Sequence, residues 1–210
     1  MKLTLCALAF LTLITVPCLG QLKPFEELMY HSKRMSFDFK QPIGFKEFNR
    51  ADTVFWPGKG STFLNAISYK IKSSNADVIV ALSFYDLDST NVFGASPAHN
   101  YDNNNQLIGI RYLIGIPPTP EERSDKFDMD LDTNKVRFFN EAELNRYGAT
   151  YGGIANIPLD KAYYKQYWKM KILFFFKKGK GEVYQYYFYN EGAPIEQIVL
   201  ETKSMIKFKD

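Results

Sequence analysis

Polar and apolar positions alternate or recur with clear periods along most of this chain. Leu22 to Lys33 carries Phe25, Leu28 and Met29 on one side with Pro24 near its start, which predicts a short helix. Met35 to Lys40 alternates with period two and predicts a strand ended by Gln41-Pro42. Ile67 to Lys72 alternates again, Ser73 to Asp77 supplies turn residues, and Val78 to Tyr85 is apolar on both faces. That combination predicts a hairpin with a half-exposed first strand and a central, doubly covered second strand. Residues 86–106 are rich in Asp, Asn, Ser, Gly and Pro and read as a loop. Leu107 to Ile116 fits a helix or a strand equally, and Pro117 to Pro120 ends it before a charged loop reaching Asp132.

The second half is more regular. Asn140 followed three residues later by Glu143 is a capping pattern for a helix that stops near Gly148. Thr150 to Ile157 predicts a strand weakened by Gly152-Gly153. Tyr167 to Phe176, a turn from Lys177 to Gly181, and Val183 to Tyr189 predict a hairpin. Pro194 sits at the start of a last helix with Ile195, Ile198, Val199, Thr202 and Ile206 as its apolar stripe. Strands that neighbour one another in sequence, with helices at both ends, predict one α+β domain over residues 21–210: an antiparallel sheet flanked by N-terminal and C-terminal helices.

Residues 1–20 have the form of a signal peptide. Lys2 is the basic start, Leu3 to Val16 the apolar run, and Cys18-Leu19-Gly20 the small-residue cut site before Gln21. The run is shorter than the ~20 residues of a membrane-spanning helix, and no later stretch reaches that length. The mature chain is therefore expected to be exported, periplasmic or extracellular. The other reading of this region, a lipid anchor on Cys18, meets Pro17 where a lipoprotein signal wants a small residue. Both cysteines, Cys6 and Cys18, fall inside the segment, which removes disulfides, thiol catalysis and Cys-ligated zinc from the mature chain. The formal charge of +3 is too small for a nucleic-acid or acidic-membrane specialist.

Candidate chemistry is sparse. Asp128, Asp130 and Asp132 alternate like the start of a calcium loop, but Thr133 stands where such a loop wants Gly and Phe139 where it wants Glu. An acidic surface loop explains them as well. Gly58-Lys59-Gly60-Ser61-Thr62 lacks the spacing of a phosphate loop. His31 and His99 form no metal pair and sit near no nucleophile elbow. Glu141 and Glu143 favour a helix N-terminus, which is their plain role. No cofactor is implied. The distinctive feature is aromatic: the chain has 18 Phe, 14 Tyr and 2 Trp, and many fall in residues 163–189. Tyr164, Tyr167, Trp168, Tyr184 and Tyr186 are the candidates for a partly exposed platform that stacks a sugar, lipid or peptide. The plainer reading of the same residues is packing: cross-strand aromatic pairs stabilise a hairpin with no ligand.

Asn145-Arg146-Tyr147-Gly148-Ala149-Thr150-Tyr151, Ile157-Pro158-Leu159 and Phe174 to Tyr184 together resemble the second half of uncharacterised exported proteins of Bacteroidetes. The tail Ser204-Met205-Ile206-Lys207-Phe208 and the element layout resemble, more loosely, PsbP-like domains. The second resemblance implies an accessory or binding role within an assembly. The resulting expectation is an exported, non-catalytic binding or accessory module of the cell envelope, its partner an envelope protein or small ligand and not a nucleic acid. The alternatives are a carboxylate-dependent hydrolase of envelope or dietary polymers using Asp86, Asp88 or Asp128, and a calcium-stabilised surface protein.

Overall fold

The computed structural model describes residues 23–48, 54–55, 65–86 and 136–210. The expected signal peptide, the expected loop after Asp86, the ambiguous Leu107–Ile116 run, Asp88, His99 and the Asp128/Asp130/Asp132 group lie outside the described residues.

The elements run α1 (Pro24–Met35), β1 (Phe37–Phe39), β2 (Phe45–Glu47), β3 (Val54–Phe55), β4 (Asn65–Ala66), β5 (Tyr69–Ser73), β6 (Ile79–Asp86) and β7 (Val136–Phe138). They continue with α2 (Glu141–Tyr147), β8 (Tyr151–Tyr163), β9 (Tyr167–Lys177), β10 (Gly181–Tyr189), α3 (Ile195–Thr202) and β11 (Ile206–Phe208). Seven strands form one sheet in the order β2-β5-β6-β10-β9-β8-β7, and every neighbouring pair is antiparallel. The α+β class with an antiparallel sheet is therefore the fold.

Period two sorts the central strands into two cores. On one face Ile79, Ala81, Ile172, Phe174, Tyr184, Tyr186 and Phe188 pack together. The other face carries Val80, Leu82, Phe84, Leu173, Phe175, Val183 and Tyr187. Helix α1 covers that second face with Leu28 and Met35, α3 with Ile198, and the two-stranded β1–β11 ribbon with Phe37, Ile206 and Phe208. A buried polar thread ties β10 to α3: Tyr187 Oη donates to Gln185 Oε1 at 2.9 Å and lies 2.8 Å from Thr202 Oγ1.

Helix ends follow local chemistry. Asn140 Oδ1 accepts from the Glu143 N–H at 3.0 Å while Glu143 reaches back to the Asn140 N–H at 3.1 Å, and Gly148 closes α2 in the left-handed region. Helix α1 runs on to Met35, so the expected strand from Met35 begins only after Ser36.

Three expectations change. Strand β5 is not half-exposed: Lys70 is buried, because its ammonium lies over the rings of Phe48 and Tyr164 rather than in water. Ile206 leaves the helical stripe and enters β11, since pairing with Phe39 of β1 satisfies backbone groups that a longer α3 would not. Strand β8 is longer than expected despite its glycines. A Cβ on Gly152 would stand 2.7 Å from the Phe174 carbonyl oxygen, and one on Gly153 would stand 2.7 Å from the Phe174 ring. The glycines admit bulky neighbours over the strand instead of weakening it.

Candidate functional site

Strands β8 and β9 are joined by Tyr163-Tyr164-Lys165-Gln166, closed by Gln166 N–H donating to the Tyr163 carbonyl at 3.0 Å. Both central residues have positive φ, 52° for Tyr164 and 59° for Lys165. Positive φ at two successive turn residues is a conformation that Asn and Gly adopt at little cost. Non-glycine residues pay roughly 1–2 kcal/mol each for the left-handed region. Side-chain contacts hold Tyr164 there. Its hydroxyl accepts from Lys70 Nζ at 2.7 Å, Phe48 meets its ring edge-on at 5.6 Å, and Tyr163 lies 4.4 Å away between it and Phe188. Lys165 is exposed and has no such compensation. Lys165→Gly is accordingly expected to raise stability by about 1 kcal/mol, read as an increased urea midpoint at unchanged m-value. A lower midpoint would show that the turn is not strained at that residue.

Beneath the turn, one carboxylate organises three donors. Asp77 accepts from Tyr167 Oη at 2.7 Å, from Gln166 Nε2 at 2.7 Å, and from the Lys72 ammonium at 2.8 Å. The Lys72 contact leads in holding the Asp77 carboxyl below its ordinary range. Trp168 follows directly on β9, 58% exposed, with its N–H donating to Asn190 Oδ1 at 3.3 Å. The structure thus brings together Tyr164, Tyr167 and Trp168. Tyr164 is half-buried, Tyr167 is buried with its hydroxyl engaged, and Trp168 faces solvent. Tyr184 and Tyr186 belong elsewhere, being buried along the interior face of β10. Of the five, only Trp168 offers an open ring.

Two ionisable clusters meet at the far end of the sheet, where β6 ends beside the start of β10. Glu182 lies on the Tyr184 face, 6% exposed, accepting from Tyr184 Oη at 2.7 Å. Burial pushes its carboxyl up to about 7, with the tyrosine hydrogen bond opposing only part of that. On the opposite face His31 stacks on Phe84 with Nδ1 3.9 Å from Asp86 and Nε2 4.0 Å from Glu27. Burial lowers its pKa, against the attraction of Asp86. The Asp86 carboxylate itself is buried and takes the Arg34 guanidinium at 3.0 Å, so it serves an internal ion pair. Alternation puts Glu182 on one face with Tyr184 and Tyr186, but nothing in the sequence marked that face as enclosed, and nothing joined His31 to Asp86.

A separate cleft of about 460 Å³ lies between the β1–β2 connection and the end of α3, with Lys40, Ile43, Asn75, Glu201 and Met205 in its walls. Among the described residues no three His, Cys, Asp or Glu side chains gather as metal ligands, and no helix is long and apolar enough to cross a membrane. No protein-family model matches this chain, and no curated protein or solved structure is significantly similar to it.

Proposed function

We propose that this chain is an exported binding or accessory module of the cell envelope whose contact point is the β8–β9 hairpin tip. The observation that carries the reading is an exposed indole, Trp168, next to a turn that keeps Tyr164 and Lys165 in a left-handed conformation. A sequence selected only for stability would fill that turn with Asn-Gly. Backbone strain retained beside an exposed aromatic marks a place where side-chain identity serves recognition. The signal-like form of residues 1–20 and the sequence resemblance to exported proteins of Bacteroidetes support export, and the looser sequence resemblance of the Ser204–Phe208 tail to PsbP-like domains supports an accessory role. The exposed indole, next in sequence to Lys169 and its ion pair with Glu191, suits a sugar ring or a peptide side chain as the stacking group.

The test is retention of envelope components from the native host on immobilised residues 21–210. A defined glycan or protein should be retained by the wild type and by Lys165→Gly, and lost about ten-fold on Trp168→Ala, since an aromatic contact contributes roughly 1–2 kcal/mol. Retention that Trp168→Ala leaves intact would remove the hairpin tip as the contact point.

A further inference from the structure

The small net charge conceals a local concentration of cations that only the fold creates. At Ser36, three stretches distant in sequence converge. Lys180 Nζ donates to Ser36 Oγ at 3.3 Å, and the Lys209 N–H donates to the Ser36 carbonyl at 2.8 Å. Ser36 itself follows the last turn of α1, which carries Lys33 and Arg34. Lys207 stands opposite Asp38 on the outward side of the β1–β11 ribbon. Lys33, Lys177, Lys178, Lys180, Lys207 and Lys209 therefore share one end of the molecule. Among the described residues, Asp38 and Asp210 at this end are already engaged, Asp38 with Lys209 at 2.8 Å and Asp210 near Lys177 at 3.8 Å.

A second feature adjoins this end. On α1, Phe25, Met29 and Lys33 recur at every fourth position and so occupy one stripe outside the buried Leu28–His31–Met35 side. Phe25 is 44% and Met29 45% exposed. The stripe rises about 12 Å along the helix and leads from apolar side chains directly to the lysine cluster. A soluble polyanion would use the lysines and leave the apolar stripe in water. A surface with phosphates above and acyl chains below uses both.

We propose that this end of the protein is a peripheral membrane-docking surface for phosphate-bearing anionic lipid. The lysines sit among headgroup phosphates, and Phe25 and Met29 enter the boundary beneath them. The surface is independent of the hairpin tip: Trp168 and Lys177 stand near opposite ends of β9, about 30 Å apart along the strand.

The experiment is co-sedimentation of residues 21–210 with phosphatidylcholine vesicles, with and without admixed phosphatidylglycerol, at low and high salt. The wild type should pellet only with phosphatidylglycerol and be released by salt. The triple variant Lys178→Gln/Lys180→Gln/Lys209→Gln should bind about a hundred-fold more weakly. Met29→Gln should lose about five-fold, with circular dichroism confirming that each variant is folded. Trp168→Ala should pellet as the wild type, so failure of the hairpin-tip reading and failure of this one are separable. Binding that ignores phosphatidylglycerol, or a triple variant that pellets as the wild type, overturns the proposal. So does Met29→Gln at wild-type affinity, which would assign the lysines to a soluble polyanion.

Discussion

Glu182→Gln is expected to gain stability relative to the wild type as pH rises from about 4.5 to about 7. Glu182 is buried on the Tyr184 face of β10, and its carboxyl is pushed up from 4.5 to about 7 by desolvation. A group whose folded pKa exceeds its unfolded pKa binds more protons when folded. Its favourable contribution is complete below about pH 4.5 and is lost as pH rises through about 7. The shift corresponds to about 3 kcal/mol of pH-dependent stability in the wild type. Gln keeps an oxygen to accept from Tyr184 and removes the titration. Its buried amide adds a cost that does not vary with pH, so the slope is the readout rather than the absolute value. Urea titrations at several pH values should show the wild type losing stability relative to the variant between about pH 4.5 and 7. Parallel curves would mean that the carboxyl is solvated in the folded state. His31 acts in the opposite sense. Burial lowers its pKa, so its neutral form supports the fold above about 6.5, and that support is lost as pH falls from 6.5 through the lowered folded value.

The second large effect is steric. Gly181 opens β10 with φ at 140°, opposite Asp86 of β6 and Lys177 of β9. A Cβ there would lie 2.3 Å from the Tyr85 carbonyl oxygen and 3.0 Å from Met35 Cε. The first obstacle is backbone of the neighbouring central strand, so no side-chain rotation relieves it. Gly181→Ala should therefore cost at least about 3 kcal/mol, combining conformational strain with overpacking. Gly179 in the adjoining turn is the control. Its φ of 77° is also positive, but a Cβ there meets nothing within 4 Å. Gly179→Ala should cost only about 1 kcal/mol. Similar losses in both variants would show that backbone conformation alone, and not the approach to Tyr85, makes Gly181 necessary.

Legibility from sequence tracked the range of the interactions involved. The Asn140–Glu143 capping box and the β9–β10 hairpin depend on residues within one turn or one strand pair, and both were readable from spacing. The bounds of β8 were not, because the glycines at 152 and 153 respond to Phe174 across the sheet. Likewise Lys70 reads as a solvent-facing residue until Tyr164 arrives from 94 positions away. Candidate-site residues divided for the same reason. Alternation identified which aromatics share a face, but not which face is enclosed. Tyr184 and Tyr186 consequently lie in the interior while Trp168, next to the turn, remains open. The lysines around Ser36 were invisible as a group, since only tertiary contact joins α1, the β9–β10 turn and β11.

The most direct test of the binding-module account is photo-crosslinking in the native host, with a benzophenone amino acid placed at Trp168 in one variant and at Leu200 in another. Leu200 is a fair comparison because it is a large exposed apolar residue on a different element, α3. The account predicts one discrete envelope adduct from position 168 and none of that species from position 200. The same adduct from both positions, or none from position 168, would contradict it.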